Sequence, residues 1–131
     1  MPIGVRRGPM PAEPAAFRAG AIVLADWRGD ALPKEPNKLR PAVVIEDDGL
    51  FAPGYPNVLL VPLTEDAALA IPDLSVAIEP DAGNGCRKPC RAVSHLVAST
   101  AKARLRATGS RITPAQLAAI RRQVVLAIGL G

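Results

Sequence analysis

The spacing of apolar positions divides the chain into a series of short strands and one terminal helix. Ala21 to Trp27 is a compact apolar run behind Gly20 and reads as a first strand. Pro41 to Ile45 reads as a second, ended by the acidic turn Glu46-Asp47-Asp48-Gly49. Val58 to Val61 is a buried strand closed by Pro62. Leu74, Val76 and Ile78 alternate with Ser75 and Ala77, the period-two sign of a strand with one buried face. Beyond a Gly-rich turn over 81–85, Ala92 to Ala98 reads as a further strand, and Leu105 to Ile112 as a short segment broken at Gly109.

The terminal helix carries the clearest local signals. Thr113 stands as N-cap, Pro114 takes the first helical position, and Gln116 lies three residues after the cap. Leu117, Ile120, Val124, Ala127 and Ile128 recur at helical spacing, and Gly129 ends the run. Arg121 and Arg122 fall on the opposite face. The class is therefore mostly β with a C-terminal helix (α+β): a barrel or curled sheet of five or six strands, covered by one amphipathic helix.

At 131 residues the chain suits one domain with a modest core. Residues 1–16 contain four prolines and almost no bulky apolar pattern, so they read as a disordered leader to a single domain over 17–131. Arg28 to Leu39 forms a long loop between the first two strands, of a length that in compact domains is usually functional.

Composition narrows the function. Only Phe17, Trp27, Phe51 and Tyr55 are aromatic, so the core is aliphatic and base-stacking platforms are few. No apolar run reaches membrane-spanning length, and no signal-peptide core follows Arg6 and Arg7; the chain reads as cytoplasmic. The net charge of +4 hides a division. All twelve acids lie at or before Asp81, where seven bases leave a net −5, while the last fifty residues carry nine bases and no acid. That asymmetry suits a polyanion or an acidic partner peptide, unless folding mixes the halves into an ordinary surface. Cys86 and Cys90 are the only cysteines and His95 the only histidine, too few for a convincing metal site, so the cysteines read as reduced thiols. No metal and no cofactor is expected.

Three segments, taken in order, carry a family resemblance. The run Gly20 to Trp27 resembles the opening strand of MazF/PemK-like toxins. Arg40-Pro41-Ala42-Val43-Val44-Ile45 is similar to their Arg-Pro strand start, and Val61-Pro62-Leu63-Thr64 to their strand ending in Pro-x-Thr. Lys88-Pro89-Cys90, Ser94-His95-Leu96, Arg104-Leu105 and the closing helix fall where later landmarks of that family belong, so the resemblance covers roughly residues 18–130. It implies an SH3-like barrel of the MazF/PemK/CcdB type, usually a homodimer. It further implies a toxin that cuts single-stranded RNA and is silenced by an acidic antitoxin protein.

The resemblance also assigns residues. RNA supplies its own nucleophile, the 2′-hydroxyl, so an enzyme must take up that proton, stabilise the phosphorane and assist the leaving 5′-oxygen. Arg40 matches the family's catalytic arginine; a guanidinium stays protonated, so its natural task is a clamp on phosphate oxygens. The alternative is a structural pairing with one of Glu46 to Asp48. Thr64 matches the catalytic threonine, and would orient the phosphate or relay a proton; otherwise it caps the turn into Glu65-Asp66. At His95 the family commonly has Gln, sometimes preceded by an acid implicated in proton transfer; here Ser94 precedes it. His95 either supplies the missing proton transfer or is a hydrogen-bonded structural residue. Lys34, Asn37 and Lys38 in the long loop, Trp27 by stacking, Ser94, and Arg87, Lys88 and Arg91 by charge are candidate RNA contacts. The competing reading keeps the barrel but makes it a non-catalytic toxin or binding module acting on a protein target such as gyrase. A DNA binder ranks below both, since no helix-turn-helix is recognisable.

Overall fold

In the computed structural model, residues 17–27 and 39–130 are described. The expected leader over 1–16 and the loop candidates Lys34, Asn37 and Lys38 lie outside them. The strands are β1 (Ala21–Ala25), β2 (Arg40–Val44), β3 (Asn57–Thr64), β4 (Ser75–Ile78), β5 (Cys90–Val93), β6 (Ala98–Ala101) and β7 (Leu105–Arg111), followed by helix α1 (Pro114–Ala127). All pairings are antiparallel. The order is β4-β5-β3-β2-β1-β7, with β6 also on β3. Among the described residues no ladder joins β4 to β7, so the sheet does not close into the expected barrel.

β1, β2 and β3 are apolar on both faces because both faces are covered. Ala21, Val23, Ala25, Ala42, Val44, Val58 and Leu60 pack on one side with Trp27 and Leu105. Ile22, Val43, Val61 and Leu63 pack on the other, where Ile120 of α1 closes the core. Alternate residues of each strand therefore serve different clusters. Ile120 is fully buried, and truncating such a side chain to Ala costs about 2–5 kcal/mol.

α1 starts as its sequence specifies. Thr113 Oγ1 accepts from the Gln116 N–H at 3.1 Å, and Gln116 Oε1 accepts from the Thr113 N–H at 2.9 Å, a reciprocal capping box. Arg121 departs from the expected solvent face. Its Nε donates to the Ile45 carbonyl at 2.9 Å and its Nη2 to the Glu46 carbonyl at 2.8 Å, pinning α1 to the end of β2. Ile128, expected on the buried face, is exposed together with Val125, Leu126 and Leu130, because the helix end runs past the sheet.

Three strands also differ from expectation. β3 continues through Pro62 to Thr64. On one flank it pairs with β6 as far as Leu60↔Ala98 and resumes with β5 at Leu63↔Ala92. Pro62 falls in the gap between these partners, so its missing N–H breaks no ladder on that flank. The expected strand Ala92 to Ala98 is instead β5 and β6, separated by a 3₁₀ turn at Ser94–Leu96 opposite the same gap. β7 runs unbroken past Gly109, whose φ of 78° marks a bulge where the register with β1 shifts. Thr108 stabilises it, donating to the Ile22 carbonyl at 2.6 Å and accepting from the Ser110 N–H at 3.0 Å.

Candidate active site

The register of the central strands sets the site. Ala42 lies opposite Pro62 in the β2–β3 pair. Carried two residues further, that register sets Arg40, the first residue of β2, opposite Thr64, the last of β3. On the other flank of β3, Thr64 pairs with Arg91 of β5. Thr64 is thus in register with an arginine on each neighbouring strand, and the two-residue alternation assigns all three to the face of Ala42, opposite that of Pro41 and Leu63. The acidic turn Glu46 to Asp48 is no partner for Arg40, since it follows the opposite end of β2, about 20 Å away at the rise of a strand. Those acids serve other groups. Glu46 accepts from the Leu59 N–H, Asp47 from the Gly49 N–H, and Asp48 from the Ala19 N–H.

Thr64 is 5% exposed, and its Oγ1 accepts from the Asp66 N–H at 3.0 Å. The turn-capping use foreseen for it is therefore present. Accepting that bond leaves the hydroxyl proton free to be donated, so capping does not exclude work on a substrate.

Thr64 also lines a cavity of about 240 Å³, with Ile22, Leu24, Pro41 and Leu63 at its floor and Glu65, Arg87 and Lys88 among its polar residues. Its far wall is the turn from Asp81 to Cys86. Buried Asn84 holds that turn, accepting from the Asp81 and Cys86 N–H groups and donating to the Glu79 carbonyl. Gly85 has φ of 67°, and a Cβ there would meet Ser110 Oγ at 2.7 Å, so glycine is needed. Cys86 and Cys90 line the same cavity with their sulfurs 3.9 Å apart. Burial pushes the Cys90 thiol up to about 12; the charge and hydrogen bond of Cys86 and the charge of Glu65 add to this, while Arg91 pulls it down.

His95 lies elsewhere. It sits in the 3₁₀ turn after β5 and lines a separate cavity of about 570 Å³ with Trp27, Arg104 and residues 96–101. Its Nδ1 is buried without a hydrogen-bond partner. Trp27, a candidate for base stacking, is 5% exposed, and its indole Nε1 donates to Thr100 Oγ1 at 2.9 Å. It is a core residue whose ring packs with β1 and β2. Ser94 is fully buried; its hydroxyl donates to Gln123 Oε1 at 2.6 Å, and Gln123 Nε2 donates to the Ser75 carbonyl. It latches the turn to α1 and β4 instead of facing a ligand.

A family model described as PemK-like, MazF-like toxin of type II toxin–antitoxin system matches residues 18–128. The chain belongs to this family. No curated protein matches the sequence significantly. Among solved structures, the fold is similar to Mycobacterium tuberculosis toxin MazF-mt6, with TM-score 0.66 and 18% identity over 85% of this chain and 98% of that one. An endoribonuclease in complex with its cognate antitoxin, from Mycobacterial species, gives TM-score 0.66 and 18% identity over 86% and 95%. MazF from Deinococcus radiodurans gives 0.66 and 18% over 85% and 94%. At such identity these structures speak for the fold.

In this MazF-like toxin the structure brings Thr64, Arg87 and Lys88 to one cavity, aligns Arg40 with Thr64 only through the strand register, and sets His95 at another cavity. Two further residues join the first group. Arg91 stood in the sequence only as one of several basic residues, and its pairing with Thr64 is set by strand register. Glu65, in sequence only part of a turn, is the carboxylate lining the Thr64 cavity. Its adjacency to Thr64 was the available signal. Among the described residues no group of three or more His, Cys, Asp or Glu is placed to hold a metal ion, and no helix is long and apolar enough to cross a membrane.

Proposed function

We propose that this toxin is an endoribonuclease that cuts single-stranded RNA by attack of the 2′-hydroxyl on the adjoining phosphate, with no metal taking part. The observation that carries the reading is the register that aligns Arg40 and Arg91, on the strands either side of β3, with Thr64, which is followed by the carboxylate of Glu65. Two guanidiniums flanking one hydroxyl suit a phosphate whose charge grows in the transition state. Each offers fork-shaped donors to non-bridging oxygens, and Thr64 donates a third bond between them. The Glu65 carboxylate accepts the 2′-hydroxyl proton. Attack forms the bond from the 2′-oxygen to phosphorus and breaks that to the 5′-oxygen, which leaves as a hydroxyl by taking a proton from water, and a 2′,3′-cyclic phosphate remains. The geometry favours Glu65 over His95 as proton acceptor, since His95 lines the other cavity.

Arg87 and Lys88, both exposed on the loop at the cavity rim, draw the RNA backbone in. The same charges suit the acidic segment of a cognate antitoxin, which would silence the enzyme by occupying the substrate's place. Val125, Leu126, Ile128 and Leu130, exposed at and just beyond the end of α1, suit a homodimer contact. The test is an incubation of purified protein with single-stranded RNA in excess EDTA. Fragments ending in 2′,3′-cyclic phosphate are expected. Intact RNA, under conditions where a MazF relative cuts it, would sink the reading and favour a non-catalytic action on a protein target.

A further inference from the structure

Cys86 and Cys90 bracket the basic loop at the rim of the Thr64 cavity. Their sulfurs are 3.9 Å apart, both side chains are partly exposed, and both thiols are free. Cys90 opens β5 and is held by its pairing with Ile78, whereas Cys86 ends the turn organised by Asn84. Between them stand only Arg87, Lys88 and Pro89. Among the described residues no third ligand completes a metal site around the pair.

We propose that Cys86 and Cys90 form a reversible thiol–disulfide site, and that closing the disulfide slows RNA cleavage by displacing the Arg87–Lys88 loop; this second part rests on the endoribonuclease reading above. The oxidant is a peroxide. The Cys86 thiolate attacks a peroxide oxygen, an S–O bond forms as the O–O bond breaks, and the departing hydroxide takes up a proton. The Cys90 sulfur then attacks the Cys86 sulfur; the S–S bond forms, the S–O bond breaks and water leaves. The two sulfurs give up two electrons, one peroxide becomes two waters, and a dithiol reverses the change by exchange.

The order of attack follows from the surroundings. Desolvation holds the Cys90 thiol protonated, so the attack on peroxide is assigned to Cys86. Closure also moves the loop. The sulfurs must approach from 3.9 Å to about 2.05 Å, and a displacement near 1 Å at a reacting site can cost about a hundredfold in rate.

The test treats the full chain with hydrogen peroxide, blocks remaining thiols with N-ethylmaleimide and measures the intact mass. The expected product has taken up no maleimide, is lighter than the reduced chain by two hydrogens, and regains two reactive thiols with dithiothreitol. Cys90→Ser is expected to stop at a sulfenic acid on Cys86 that dimedone traps. Two maleimide adducts after peroxide, or sulfurs joined between two chains, would overturn the site. Cleavage by the oxidised form should be at least about tenfold slower and recover on reduction, while Cys86→Ser/Cys90→Ser should respond to peroxide not at all. A disulfide that forms without slowing cleavage overturns the coupling. A reduced protein that cuts no RNA contradicts the endoribonuclease reading, and the mass result still decides the disulfide.

Discussion

The two cavities of this toxin are built in opposite ways. The one beside Thr64 draws on β1, β2, β3, β5, β7 and the loop from Asn84 to Lys88. It gathers exposed cations, a carboxylate and a hydroxyl with a proton to give. The one beside His95 is more than twice as large, about 570 Å³ against 240 Å³, but is lined mainly by consecutive residues 95–101. Its Trp27 nitrogen is already committed to Thr100, and its His95 Nδ1 has no partner. Size therefore does not by itself argue for a chemical site. Convergence of complementary groups from distant parts of the chain does, because only the fold can bring them together and an idle cluster of cations costs stability.

Substitutions that remove chemistry from one cavity and only packing from the other should separate the two. The largest effect is expected for Glu65→Gln, which keeps shape but removes the proton acceptor: kcat should fall by about a hundredfold or more with little change in KM. An unchanged kcat would return the role to another group. Thr64→Val removes the donor between the arginines and should slow cleavage by about tenfold to a hundredfold in single-turnover assays. Because it also releases the Asp66 N–H, melting curves should accompany the rates. Arg91→Ala should lower kcat/KM by about tenfold and flatten its salt dependence, the sign of one lost phosphate contact.

On the other side, Trp27→Phe should leave cleavage within about twofold yet cost about 1–2 kcal/mol in urea denaturation, since the Thr100 hydroxyl loses its buried donor. The smallest effect is expected for His95→Leu. Removing a buried nitrogen without a partner should leave Tm equal or higher, and the cleavage rate near that of the unaltered protein. A large loss of kcat in this variant would show that proton transfer crosses between the cavities.

Much of the fold was legible because its signals are local. The capping box from Thr113 to Gln116 and the apolar positions Leu117, Ile120 and Val124 needed only neighbours in sequence to be read. β3 was cut short at Pro62, since a proline reads as a stop unless the flanking strand is known to be absent there. Ser94 and His95 were placed on a strand because the change of partner from β5 to β6 is a long-range event. The apolar positions 92 and 93 hide it. At the site, Arg40 and Thr64 were found through family resemblance, whereas the place of Arg91 depended on a register that links residues 27 positions apart. Arg121 looked like a solvated charge because helical spacing shows which face a residue takes, not which carbonyls wait opposite it.

The most direct measurement is the rate at which Arg40→Ala cuts single-stranded RNA in EDTA, beside His95→Ala and the unaltered protein, with matched circular dichroism spectra. Loss of a phosphate clamp should slow Arg40→Ala by about a hundredfold or more, while His95→Ala cuts within about threefold of normal. An Arg40→Ala protein that is folded and cuts at the normal rate would contradict the assignment of the chemistry to the Arg40–Thr64–Arg91 row.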